Sequence, residues 1–427
     1  MYWKLAVNWV RRLWQQMVLR SGVVTMAVLA IVVLGLALGW HAHMKGRFAQ
    51  FKAGLKRSDM PHGPATPRPG GQEPLVLERS AIEGGTVPEF LSATLLPGRG
   101  MNVLQITASL PNKGVVKLLD APSLEDASLS MTGTGGDANG AVSLKMGSAI
   151  EAPWAGDIFG AASEDGVTTA WRGTSLRLPS QPRNGMAVAT GGLLLKQQAS
   201  LSKTNIMPDG GEAEASYEMG GFEGRWPSEM RVSTTTQLSA HALEMRISAT
   251  NTGKDPQPVG IGWRPRFAIL GNRSKMVLRL PSMMREEIRD PQSGIPTGKL
   301  LPVDGTRYDF SQRTGAALDN LNLDDTFVHL RQAPLDTGPV VELRDPENNY
   351  GLRITMLSAS IKAVHVQSGA DGKSILLEPR FNYDDPFGRE WPKEEDTGMM
   401  VLRPGQSVQW RIRLEIFTPP STTSDQP

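Results

Sequence analysis

Residues Ser407–Phe417 read SVQWRIRLEIF, in which Val408, Trp410, Ile412, Leu414 and Ile416 alternate with Gln409, Arg411, Arg413 and Glu415. Successive side chains of an extended chain point to opposite faces, so this run predicts a strand with one face in a core and the other in solvent. Leu243, Met245, Ile247 and Ala249 alternate in the same way within residues 241–251. Short apolar runs recur at residues 102–110, 191–197, 340–344 and 352–359, set between glycine, proline and asparagine turns. No amphipathic helix of comparable length follows residue 40, and no internal repeat is evident. The pattern predicts an all-β fold, a large antiparallel β-sandwich over residues 90–417, with a disordered tail at 418–427.

Composition narrows the function classes. The chain carries 45 lysines and arginines against 43 acids, a net charge of +2, and the basic residues before position 58 leave the remainder acidic. A nucleic-acid partner is excluded, because phosphate contacts need a basic surface. No glycine fingerprint lies between a strand and a helix, so no nucleotide cofactor is expected. Cysteine is absent and the six histidines are scattered, which disfavours a zinc site. No metal site or cofactor is assigned, although scattered acids leave an oxygen-ligated calcium open.

Residues 22–40 form an apolar run interrupted only by Thr25, close to the about 20 residues that cross a bilayer as a helix. The reading is a transmembrane helix after a cytoplasmic segment at 1–21. A cleaved signal peptide is the competing reading, disfavoured by the length of the run and the lack of a small-residue cleavage site. Residues 41–89 read as a juxtamembrane region and flexible linker. These readings predict a single-pass protein of a bacterial-type inner membrane with a periplasmic domain. Its expected partners are membrane lipid through the N-terminal helix and a protein of a membrane complex.

Several segments, in order, resemble the aldose 1-epimerase (galactose mutarotase-like) family. They are LLPGRGMNVLQI at 95–106, DAPSLEDA at 120–127, DANG at 137–140, APWAGDIFG at 152–160, VGIGWRPRF at 259–267, IPTGKLLPVDGTRYDF at 295–310, NLDDTF at 322–327, LLEPRFN at 376–382 and GMMVLRPGQSV at 398–408. The resemblance implies the β-sandwich of galactose-mutarotase type, with a carbohydrate cleft on its concave sheet.

Anomer exchange needs an acid to protonate the ring oxygen and a base to take the C1 hydroxyl proton. The resemblance places the family's basic glutamate at Glu378, whose alternative is a strand-end carboxylate paired with Arg380 or Arg266. It places the sugar-binding aspartate at Asp324, or at Asp325 if the alignment slips by one residue. Two positions depart from the family. Arg264 stands where an acidic histidine is expected, and Gly191 stands where a second histidine is expected. A guanidinium stays protonated and cannot cycle a proton near neutral pH. Arg264 and Arg266 are therefore assigned to substrate binding, with an internal pair from Arg264 to Glu378 or Asp325 as the alternative. An acid, Asp157, replaces an arginine common in the family, and Trp263, Phe267, Phe381 and Tyr383 are candidates for an apolar platform. Of the histidines, His241 and His365 read as ordinary strand residues, and His329, two positions after Phe327, is the one placed to reach the cleft.

The expected ligand is a sugar or sugar acid. The expected function is weak aldose 1-epimerase activity with Glu378 as base, and the alternative is a non-catalytic carbohydrate-binding or assembly subunit.

Overall fold

The computed structural model describes residues 66–164, 166–183 and 186–420, together with Arg11, Arg12 and Gln15. Period-two alternation is realised in two large antiparallel sheets. An 11-stranded sheet runs Leu75–Glu78, Glu89–Leu96, Asn102–Leu110, Ser148–Glu151, Gly262–Ala268, Ser374–Arg380, Ala363–Ser368, Asp324–Leu330, Ser282–Ile288 and Pro296–Pro302, with Gly114–Lys117 beside Asn102–Leu110. A 9-stranded sheet runs from Leu201–Met207 through Gly210–Glu218, Met230–Leu238, Ala242–Asn251, Ser407–Phe417, Tyr350–Met356, Val340–Asp345 and Val277–Arg279 to Ala316–Ala317.

Ser407–Phe417 lies inside the second sheet, paired with Ala242–Asn251 on one side and Tyr350–Met356 on the other. Trp410, Ile412, Leu414 and Ile416 are buried, Val408 packs partly buried against them, and the intervening residues reach solvent. One continuous apolar cluster takes Phe90, Ile106, Trp263, Phe267 and Leu377 from the first sheet and Leu243, Ile247, Ile354, Trp410 and Leu414 from the second. Its indole and phenyl rings at Trp263 and Phe267 meet edge to face at 6.3 Å. This shared layer joins the sheets as a sandwich, so one face of each sheet is committed to the core and the other is left for chemistry.

Three expectations change. The run at 191–197 is not a strand, because Gly191 and Gly192 take left-handed φ values of 77° and 81° and turn the chain into a loop. Leu75–Glu78, within the expected linker, is instead an edge strand paired with Glu89–Leu96, so the sheet begins before residue 90. The membrane anchor is corrected as well. Among the described residues no helix is long and apolar enough to cross a membrane, and the run at 22–40 lies outside them. The single-pass inner-membrane and periplasmic placement, the lipid partner and the membrane-complex partner all rested on that run and are withdrawn.

The inward face of Ser407–Phe417 can be tested directly. Trp410→Ala is expected to cost about 3–5 kcal/mol in denaturant unfolding, the range for emptying a buried aromatic site. Arg411→Ala, on the opposite face, is expected to stay within about 0.5 kcal/mol. Equal costs would contradict the assignment of faces.

Candidate functional site

Strand alternation assembles the site. In the first sheet Thr326 opposes His365, His365 opposes Glu378, and Arg264 faces Glu378 between the registered pairs Gly262↔Arg380 and Arg266↔Leu376. One row along, Gly262 also opposes Glu151. Side chains two apart share a face, so Arg264, Arg266, His365, Gln367, Arg380, Asp324 and Thr326 all rise from the side away from the core. Their neighbours Trp263, Phe267, Val364, Val366, Ile375 and Phe327 point into the core cluster.

The outward face floors an open cleft of ≈ 260 Å³, near the lower end of the size range of small-molecule sites. Arg264, Arg266, His365, Gln367, Arg380 and Asp384 line it from the sheet side, and Leu144, Lys145, Gly156, Asp157, Val188 and Thr190 line it from the surrounding loops. A smaller hollow shares Asp157, His365 and Asp384 and adds Asp324, Thr326 and Glu286. The cleft lining includes no Trp, Tyr or Phe. Trp263, Phe267 and Phe381 are buried in the core, and Tyr383 meets Trp391 edge to face with its hydroxyl donating to Glu395 at 3.0 Å. The expected aromatic platform is therefore replaced by a polar and charged surface.

Glu378 lies beneath this surface, with no solvent exposure. Arg264 donates to its Oε2, and Arg380 approaches Oε1 at 3.4 Å. Burial pushes the Glu378 carboxyl up, but the charges of Arg264, Arg380 and His365 overcome it and hold the group below its usual range. Glu151, equally buried, accepts from the Gly156 N–H at 2.9 Å and lies 3.8 Å from Arg264. Burial, and next the charge of Glu378, hold Glu151 well above the ordinary glutamate range against the opposing pull of Arg264. The two buried carboxyls are thus shifted in opposite directions, as expected when two acids share one dry pocket.

Arg380 is the second anchor. It donates to Asp384 at 2.6 Å and to the Thr326 hydroxyl at 2.8 Å, and Thr326 donates to Asp384 at 2.7 Å. With the Thr326 proton committed to Asp384, His365 Nδ1 donates to Thr326 at 3.0 Å, while Nε2 lies 3.3 Å from Asp324. A Cβ at Gly156 would fall 1.8 Å from Arg380 Nη1, so a glycine is required for the guanidinium to cross there. Gly191 is similarly constrained: a Cβ would meet Leu144 at 2.6 Å and Glu151 at 3.0 Å. The space next to Gly191 is filled by Leu144 and Glu151.

Of the residues assigned from sequence, Arg264 and Arg266 line the cleft, and Asp324 lines the smaller hollow beside it. Glu378 sits below the cleft. Asp325 has the opposite parity, faces away and pairs with Arg285 at 3.0 Å. Trp263 is a core residue with no cleft contact. His329 is half-exposed beside Glu395 at 3.4 Å and does not line the cleft, and His241 contacts the Pro88 carbonyl at 3.2 Å. His365 was misread as an ordinary strand residue. Its signal was the Asp371–Gly372 turn: folding the chain back at this pair brings His365 opposite Glu378. Glu151 and Asp384 had no comparable local signal.

Two measurements probe the buried charges. Arg264→Ala is expected to cost about 3 kcal/mol or more, because it leaves an ionised carboxylate in the dry pocket, whereas Arg264→Met with Glu378→Gln is expected to recover most of that loss. Additive losses would show that the pair is not coupled. The second measurement is the pH dependence of stability. Burial raises Glu151, Glu286 and Asp385, the last to about 8. An acid raised in the native state costs nothing below its unfolded pKa and costs progressively more as pH climbs towards its native value. Unfolding free energy is therefore expected to fall between about pH 5 and 8, by up to ~1.4 kcal/mol per pH unit for each proton retained. Glu378 and Asp384 are held low, so their favourable contributions are lost only as the medium becomes more acidic than that window. A flat or rising profile from pH 5 to 8 would contradict the retained protons.

The family model for aldose 1-epimerase matches residues 198–415. No curated protein matches the chain. Among solved structures, a galactose mutarotase-like protein from Clostridium acetobutylicum superimposes with a TM-score of 0.64 at 17% identity, covering 80% of this chain and 98% of that one. An aldose epimerase homologue from C. elegans gives 0.57 at 17% identity over 77% and 95% of the two chains. A galactose 1-epimerase from Lactobacillus acidophilus gives 0.55 at 13% identity over 81% and 98%. At such identities the structural likeness speaks for the fold, and it agrees with the sheet-rich architecture described above. The family model extends over just over half of the chain, and this protein belongs to the aldose 1-epimerase family.

Proposed function

We propose that this protein binds a sugar in the cleft above Arg264 and does not interconvert its anomers. One observation carries the reading: Arg264 lines the cleft, while Glu378 lies beneath it with no exposure and its carboxylate held by Arg264 and Arg380. Ring opening requires a base to take the O1 proton as an acid delivers one to the ring oxygen, with the C1–O5 bond breaking between them. A carboxylate bound to two guanidiniums below the surface is withdrawn from that task, and the guanidinium above it cannot replace the acid. The remaining polar groups suit hydroxyl recognition. Asp157, Asp384 and Gln367 offer acceptors and donors on a fixed sheet-and-loop frame.

Polarimetry of freshly dissolved α-glucose and α-galactose, with binding followed by NMR in the same samples, tests this directly. Relaxation at the buffer rate is expected at protein concentrations where sugar resonances report binding. Acceleration approaching the roughly 10²–10⁴ supplied by a positioned acid or base would overturn the reading. If Glu378→Gln abolished that acceleration, the epimerase alternative with Glu378 as base would take its place.

A further inference from the structure

The cationic side chains around the cleft are not in the same state. Arg264 is committed to Glu378, and Arg380 is committed to Asp384 and Glu378. Arg266, two residues from Arg264 on the same face, lines the cleft with no ion-pair partner among the described residues. Lys145, at the end of the turn Ala141–Lys145, also lines the cleft, two residues before Gly147, whose carbonyl accepts from the Arg266 N–H at 3.1 Å, and is likewise without an ion pair among the described residues. Arg266 is half-buried, so its charge has already lost part of its hydration. Burial and the neighbouring Arg264 push its guanidinium below the ordinary range, against the opposing charge of Asp120. A partly desolvated cation facing an open cleft is stabilised by an anion that enters with its own hydrogen-bond acceptors.

The carboxylates of the cleft lie elsewhere. Asp384 is bound to Arg380, and Asp157 accepts from Thr190 at 2.6 Å. One part of the lining therefore offers free positive charge, and another offers acceptors for hydroxyls. Resting on the sugar-binding reading above, we propose that the ligand is a sugar acid: a pyranose whose carboxylate is received by Arg266 and Lys145 while its hydroxyls turn towards Asp157 and Asp384. Arg266 provides a planar pair of donors matched to a carboxylate, and Lys145 supplies a second point charge. Arg264, whose charge is spent below the surface, is not the anion contact.

The test titrates the full chain with glucuronate, galacturonate, glucose and glucose 6-phosphate by calorimetry at low salt, with thermal unfolding of each variant as a fold control. The uronic acids are expected to bind about tenfold or more tighter than glucose, the scale of one charge-assisted hydrogen-bonded contact. Arg266→Gln is expected to remove that preference by lowering uronate affinity more than glucose affinity, and Arg266→Lys is expected to restore part of it. Lys145→Gln is expected to lower uronate affinity by a smaller factor, and added salt is expected to act in the same direction. Equal affinity of the native chain for glucose and uronates would overturn the proposal while leaving the sugar-binding reading intact. Equal losses for all ligands in Arg266→Gln would also overturn it. Binding of glucose 6-phosphate without uronates would assign the cations to a phosphate and overturn the carboxylate assignment. Binding of none of the four would defeat the sugar-binding reading itself.

Discussion

A carboxylate with no access to water must be neutralised where it lies, and Glu378 sets that requirement at the centre of the first sheet. Arg264 meets it from the adjacent strand and Arg380 from two residues along its own strand. Much of the surrounding layout follows from these two contacts. Arg380 must cross a glycine at 156 to reach Asp384, and Thr326 and His365 complete the acceptors and donors around it. Glu151, next to the same charges, is pushed well above the ordinary glutamate range by its burial and then by the facing Glu378 carboxylate.

That arrangement separates the roles of chemically similar residues. Arg264 and Arg266 differ by one turn of strand alternation, yet one is internally consumed and the other faces an open cleft. The Arg264 guanidinium is thus a structural counter-ion to Glu378. The polar surface around it is built from strand parity and not from that pair alone.

Much of the architecture was legible because it follows from local periodicity. Ser407–Phe417 and Asn102–Leu110 appear with the boundaries their alternation implies, and Trp410, Ile412 and Leu414 face inward as that alternation requires. The apolar run at 191–197 misled because buried loop residues and strand residues share composition, and only the left-handed glycines mark the difference. Parity also resolves the ambiguity between Asp324 and Asp325: neighbours in a strand cannot both face the cleft, and Asp325 is taken by Arg285 on the far side. Trp263 is lost from the site by the same rule.

By itself, the sequence determined the β-rich class, the inward faces of its long strands and the family resemblance. These depend on neighbours along the chain, where side-chain period and residue chemistry act directly. Only the tertiary structure decided that Arg264 closes over Glu378, that Glu151 and Asp384 join the same network, and that Arg266 and Lys145 line the cleft without an ion pair among the described residues. The physical reason is that neutralisation of a buried charge is settled by whichever groups the strand registers bring within a few ångströms. For Glu378, Arg380 comes from its own strand but Arg264 from a strand far away in the chain, and no local pattern encodes which of several arginines arrives there.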